Sequence, residues 1–370
     1  MQKKQVAVID VGSSKVTAVV GERGINKTFI IKANYSYEYD GFENGAFFDT
    51  EKLKQVLNYA AEAIKTASRG ALDTVYVGVP GDFTEVVVRN SQISFAKKKR
   101  IQDEDIDALF DSAFIMSSAK STVINRSAIV YELDDFRRLA NPVGSVSEIL
   151  KGKLSFVLCS NYFIEAVKPA LNFSGIENVE FVSSSLAQAL YIVDAEVRDR
   201  IALLCDVGYI TTTVSIIQGD GLLFQKSFPY GGGYVTAALT QKFSMDFDVA
   251  EKLKRKINLS CITTSSNYDL IDGDNGEYYS IEEIKNTVKG SLDNLCENLS
   301  LALEESGYTL PEYVSLMVTG GGISYIRGAK EHVSSRLGMV VEIVAPKVPL
   351  MDKPTESTVL SLLDIALEQV

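Results

Sequence analysis

An apolar strand that ends on an aspartate, a glycine-bearing turn and a second apolar strand occur in that order twice in this chain. The first copy, VAVIDVGSSKVTAVVG, runs from Val6 to Gly21. Its apolar run Val6 to Ile9 stops at Asp10; Gly12, Ser13 and Ser14 supply the turn; Val16 to Val20 is again rich in β-branched residues. The second copy, ALLCDVGYITTTVSIIQG, occupies residues 202–219. There Ala202 to Cys205 meets Asp206, Val207 and Gly208 repeat Val11 and Gly12, and Thr213 to Ile217 forms the return strand. A third β-rich run follows each copy, Thr28 to Tyr39 and Gly221 to Tyr230. Long internal repeats point to duplicated architecture. Two such units can face one another across a cleft.

Each aspartate falls where its strand stops being buried, so its carboxylate faces the turn. Gly12 has no Cβ to keep a ligand away from the backbone. Successive N–H groups in such a turn make an anion nest, and Lys15 adds a positive charge. One hairpin alone reads equally well as a plain turn with a solvated or capping aspartate. Two matching hairpins favour a shared site, in which both turns grip one phosphate chain and the carboxylates hold a hydrated Mg²⁺.

Composition limits the alternatives. At 370 residues the chain is long enough for two domains with proper cores. No apolar run approaches the ~20 residues needed to cross a bilayer. The opening MQKKQVAVID lacks the apolar core of a signal peptide, and the four cysteines are widely spaced with no C-x-x-C pair. The expected setting is therefore cytoplasmic and reducing, without a zinc site. A net charge of −11 argues against nucleic acid as a partner. The single histidine, His332, leaves little room for Ser–His or Cys–His catalysis.

Thr50 to Ser68 has helical spacing, with Thr50 as the N-cap and Gly70 as the stop. Thr74 to Val79 reads as a strand ended by Pro80-Gly81. Residues 81–160 read as an inserted subdomain: a strand Thr84 to Phe95, the basic run Lys97 to Arg100 as a solvated loop, a helix Asp103 to Ser117, and strands Ser121 to Leu133 and Lys153 to Ser160. Helices Tyr162 to Ser174 and Leu186 to Val193 enclose a short strand Val179 to Ser183. In the second half, Phe247 to Lys254 is helical and sets Glu251 and Lys254 on one face, where they read either as a surface pair or as joint ligands. Ile262 to Glu277 reads as a loop or exposed hairpin, and Ile281 to Ser306 as a long helix. The strand Tyr313 to Val318 runs into Gly320, Gly321 and Gly322; a strand Val340 to Val344 and a helix Thr355 to Gln369 follow.

The order of these motifs resembles the actin, chaperone-ATPase and sugar-kinase superfamily. D10-V-G-S-S-K is similar to its first phosphate loop, D206-V-G with T211-T-T to its second, V318-T-G-G-G-I with Gly328 to its adenosine motif, and A250-E251-x-x-K254 to its nucleoside-contacting helix. Leu186 to Ala189 and Lys353 to Ala366 fall where its two connecting helices belong. The insertion, with I-Q-D-E-D-I-D-A-L-F-D-S-A and N141-P-V-G, is similar to the subdomain of the FtsA family, bacterial actin homologues that anchor the FtsZ ring. The resemblance implies an α/β, actin-like (ribonuclease-H-like) fold of duplicated βββαβα domains with an FtsA-type inserted subdomain. Its parts would be 1–80 plus 161–195, the insert 81–160, 196–240 plus 311–370, and a subdomain 241–310 over the cleft.

It further implies ATP in the cleft, with Mg²⁺ and any catalysis at Asp10 and Asp206. Gly12, Ser13, Ser14, Lys15, Gly208 and Thr211 would line the phosphates, Gly320, Gly321 and Gly322 the nucleoside, and Glu251 and Lys254 its ribose and base. The implied partners are the FtsZ C-terminal tail on the subdomain near residues 240–310, further copies of the chain in filaments, and other divisome proteins through the insert. The implied location is the inner face of the membrane at the division site. Three departures follow. Tyr209 and Ile210 stand where the second loop usually has glycines, and Thr213 where it has an aspartate, which suits weak hydrolysis at most. Thr358 to Val370 has no Lys or Arg and is a poor membrane binder, so membrane contact is expected only indirectly or through a missing C-terminal helix. Thr287 and Gly290 stand near places where the FtsZ-tail site would have Arg and Glu. The rival readings are a PilM-type pilus-assembly adaptor and a phosphotransferase of the same superfamily.

Overall fold

The computed structural model describes residues 5–25, 28–69, 72, 74–113, 118–261, 270–273 and 276–369. Two five-stranded mixed sheets carry the molecule, and they share one strand order. In the first, Gln5–Val11 pairs antiparallel with Lys15–Arg23, which pairs with Phe29–Glu38; on its other side it runs parallel to Val75–Val79, and Val179–Ser183 completes the sheet. In the second, Ala202–Val207 is central, flanked by Thr212–Gln218 and Gly221–Phe228 on one side and by Leu316–Thr319 and Val341–Ile343 on the other. Even the registers match: Asp10 faces Thr17 across its hairpin and Gly78 in the parallel strand, while Asp206 faces Thr213 and Thr319.

The central strands are buried on both faces, which is why they read as unbroken apolar runs. Helix Thr50–Ser68 covers the outer face of the first sheet with Leu53, Leu57 and Ile64, and helix Ile281–Glu305 serves the second half. Helices Ser184–Ile192 and Ser357–Glu368 pack against each other between the sheets. Both seat closely on the first sheet at a glycine: a Cβ at Gly78 would collide with the Leu362 side chain and with Ser184 Oγ.

The insert forms its own antiparallel sheet from Thr84–Arg100, Val146–Ser160, Ser121–Leu133 and Arg138–Leu139, with helix Asp103–Ser112 on one face. Its inner end packs on the second sheet. Ser155 Oγ donates to Leu222 O at 2.7 Å, and the Asp220 N–H donates to Ala128 O at 3.2 Å. A Cβ at Gly219 would meet Ile129 O. The insert is thus covalently part of the first half and docked on the second.

Several expectations shift in detail. The N-cap of the first helix is Asp49, not Thr50; its Oδ1 accepts from the N–H groups of Glu51 and Lys52. The run Lys97 to Arg100, exposed except for the half-buried Lys99, is strand rather than loop, because Lys99 and Arg100 pair with Ser147 and Val146. The return strand begins correspondingly early, at Val146. A short helix Ala195–Arg198 separates the connecting helix from Ala202. The stop at Gly70, the end of the expected helix Asp103 to Ser117 and much of Ile262 to Glu277 lie outside the described residues; Leu270–Asp272 and Tyr278–Ser280 pair as a hairpin. Among the described residues, no helix is long and apolar enough to cross a membrane.

Candidate nucleotide site

The two acidic hairpins meet at one cavity of about 630 Å³ between the sheets, a size suited to a cofactor-sized ligand. Asp10, Gly12, Ser13, Ser14 and Lys15 line it from the first hairpin, and Asp206, Gly208, Tyr209, Thr211 and Thr213 from the second. The turns close alike: Gly12 N–H donates to Lys15 O at 3.0 Å and Gly208 N–H to Thr211 O at 2.9 Å. They also touch, since Ile210 N–H donates to Ser13 Oγ at 3.2 Å.

Burial, with the nearby Asp206 charge adding to it, pushes the Asp10 carboxyl up to about 7, although Lys15 opposes the rise. Burial raises Asp206 as well, against the pull of Gln188 and Thr358. Gln188 Nε2 donates to Asp206 Oδ2 at 2.7 Å, and Thr358 Oγ1 lies 3.4 Å from the same oxygen. Two mutually repelling carboxylates at the end of a cavity are a donor set that fits a divalent cation. Among the described residues no three His, Cys, Asp or Glu side chains cluster for a metal. Two carboxylates fit the chemistry of Mg²⁺, which keeps most of its waters and takes one or two such ligands.

The glycine run behaves unevenly. Gly320 and Gly321 line the cavity. Gly320 has φ +84°, and a Cβ there would collide with Asp206 Oδ1. Gly322 does not line it; its N–H donates to Val207 O and its backbone packs on Gly208 O. Glu251, in helix Phe247–Lys256, reaches the cavity, but Lys254 does not. The Lys254 ammonium is buried and donates to Gly232 O, Thr236 Oγ1 and Glu251 Oε2. Arg255 takes the lining place beside Glu251 instead. Burial lowers the Lys254 pKa against the support of Glu251.

Tyr209 fills space that bare backbone would leave open: its ring lies edge-on to Phe247, centroids 6.5 Å apart. Ile210 extends toward the first half, its Cδ1 within 2.9 Å of where a Gly41 Cβ would be. Sequence reasoning missed four groups. Gln188 is a lone buried amide in an apolar helix, a legible signal in retrospect. Thr358 gave none. Tyr39 OH donates to Gly12 O at 2.8 Å, and burial raises its pKa well above the ordinary value, with Asp10 and Asp82 adding to the rise. Asp82, just after Gly81 at the root of the insert, is pushed up to about 6 by burial, with the Thr211 and Ser227 hydroxyls holding it down.

Paired five-stranded sheets of one topology, an interposed helix pair and facing acidic turns define an actin-like fold. Two solved structures share that fold: the PilM-PilN type IV pilus biogenesis complex, at TM-score 0.66 and 19% identity over 99% of both chains, and MreB 5 of Spiroplasma citri bound to AMPPNP, at TM-score 0.55 and 14% identity over 100% of this chain and 97% of that one. In sequence the chain is similar to cell division protein FtsA. The family model for cell division protein FtsA matches residues 203–361. The cell division protein FtsA of Staphylococcus epidermidis is 22% identical over 98% of this chain and 78% of its own length.

Proposed function

We propose that the chain is a bacterial cell-division actin homologue that binds ATP with Mg²⁺ in the interdomain cleft, polymerises, and links the FtsZ ring to the membrane or to other division proteins. The convergence of both acidic hairpins on one cavity supports this reading. Asp10 and Asp206 hold the cation; Gly12, Ser13, Ser14, Lys15, Gly208 and Thr211 face the phosphates; Gly320, Gly321 and Glu251 approach the nucleoside. The cation supplies charge neutralisation for the phosphates. The protein residues orient the ligand and exclude water. ATP then acts mainly as a conformational ligand, favouring the closed arrangement by its higher affinity for it. The FtsZ tail is assigned to the subdomain near residues 240–310, other division proteins to the insert, and the working place to the cytoplasmic face of the membrane.

Calorimetric titration with ATP and Mg²⁺, wild type against Asp10→Ala, tests the site. Binding by the wild type and loss in the variant is expected; equal affinity, or none in either, removes the nucleotide. Sedimentation with ATP and an FtsZ tail peptide tests the adaptor role. A second reading, a PilM-type pilus-assembly adaptor, draws on the shared fold and would be favoured by sedimentation that ignores the FtsZ peptide.

A further inference from the structure

The sheet of the insert has two unlike faces. Leu150, Leu154 and Phe156 point to helix Asp103–Ser112. Alternate residues of the same strand point the other way, into a groove of about 370 Å³. The strand register builds that groove. Gln92, Lys151, Glu132 and Arg138 form one row across the four strands, and Asn90, Lys153 and Val130 the next. The chain as a whole carries a net charge of −11, yet the groove sets Arg138, Lys151 and Lys153 against the single carboxylate of Glu132. Glu132 is already shared by Lys151 at 3.1 Å and Arg138 at 3.7 Å. Lys153 has no carboxylate partner among the described residues; its ammonium lies 6.0 Å from the Tyr308 ring centroid.

Phe136 stands beside this groove, with Lys151 Nζ 5.8 Å from its ring centroid. It belongs to the tight turn between Ser121–Leu133 and Arg138–Leu139: its N–H donates to Leu133 O at 3.0 Å, and Leu133 N–H donates to Arg137 O at 3.1 Å. The third residue of such a turn is left-handed, and Phe136 has φ +64°. Glycine suits that position, whereas a bulky aromatic is strained there. The ring is 77% exposed, so burial in the core does not offset the strain. Strain of this kind gathers where a ligand is gripped. The neighbouring carboxylates are engaged elsewhere, Asp134 with Lys98 at 3.4 Å and Asp135 with Arg137 at 2.7 Å.

We propose that this face of the insert docks an acidic, extended peptide segment of a partner protein: Arg138, Lys151 and Lys153 take its carboxylates, Asn90 and Gln92 its backbone amides, and Phe136 an apolar side chain. Asn90 and Gln92 are exposed and lie two apart on one strand, so their carboxamides offer donors and acceptors at the repeat of an extended chain. A flat bilayer would meet the rim of the groove and not the ammonium groups within it. This deepens the assignment of partner proteins to the insert and rests on that assignment, not on the nucleotide cleft.

The test is fluorescence anisotropy of the full chain with labelled peptides of about ten residues. They share a central Leu-Phe pair and carry flanks of Asp and Glu, of Ser, or of Lys. The acidic peptide should bind at least about tenfold more tightly than the other two, and more weakly as salt rises. Lys153→Glu should weaken it about tenfold. Phe136→Gly should also weaken it, yet leave the melting temperature unchanged or higher, because glycine accepts the left-handed turn; a ring with only a structural role would lower it. Equal binding of the acidic peptide by wild type and both variants overturns the proposal. A Lys-flanked peptide that binds instead, and is lost in Phe136→Gly, overturns the acidic chemistry and leaves the insert as a partner surface. Phosphatidylserine vesicles bound by the wild type and lost in Lys153→Glu, with no peptide bound, overturn the peptide in favour of a membrane. Failure of all three peptides and of the vesicles removes the insert as a partner surface, and this inference with it.

Discussion

Replacing Asp10 by asparagine should stabilise the protein while disabling its site. The carboxyl titrates at about 7 in the fold against an ordinary 3.8. A group with a raised folded pKa binds its proton more tightly folded than unfolded. Stability is therefore lost as pH climbs from the unfolded value to the folded one, at about 1.4 kcal/mol per pH unit. Taken over the whole interval, the ceiling is about 4 kcal/mol. Because Asp10 faces a cavity and shares its charge with Asp206, half of that, about 2 kcal/mol, is the working figure. Unfolding entropy of ~2.1 cal/mol/K per residue turns this into about 3 °C for a chain of this length. The neutral amide of the Asp10→Asn variant has no such proton to lose. In thermal unfolding without ligand, the variant and wild type should coincide near pH 4 and diverge through pH 7, with the variant about 3 °C higher by about pH 8. Added Mg²⁺ should raise the wild type and leave the variant where it was, by ordinary linkage. If the difference in melting temperature stays constant from about pH 5 to about pH 8, burial and the Asp206 charge are not what load Asp10, and the reasoning fails.

Two further substitutions probe the frame around the site. Gly320→Ala puts a Cβ at positive φ and against Asp206 Oδ1; it should cost about 3 kcal/mol in urea unfolding and weaken ATP binding. Arg198→Leu removes a buried guanidinium that donates to Leu190 O, Val193 O and Gly219 O and pairs with Asp220 at 2.8 Å. The expected loss is about 3 kcal/mol in the same assay, with ATP affinity per folded molecule unchanged.

The hairpins, their duplication and the long helices were legible because they are written locally. Apolar runs that stop at Asp10 and Asp206, glycines in the turns and helical spacing over Thr50–Ser68 need no knowledge of distant partners. What could not be read depends on tertiary placement. The spacing that sets Glu251 and Lys254 on one face says nothing of Gly232 O and Thr236, which draw the ammonium inward and leave Arg255 at the cavity. Lysines at 97–99 suggest a loop by charge, yet the strand Val146–Ser160 offers backbone partners that outweigh it. Gln188 and Thr358 reach the site only because two separate helices fold onto the second hairpin.

The docking of the insert has a mechanical consequence. A strut built into one jaw and wedged against the other at Ser155, Gly219 and Asp220 shortens the swing available to both. Any wide gape must first tear Ser155 from Leu222 and lift Ile129 off its glycine seat. A molecule gripping the far end of that strut would hold a handle on how far the jaws part.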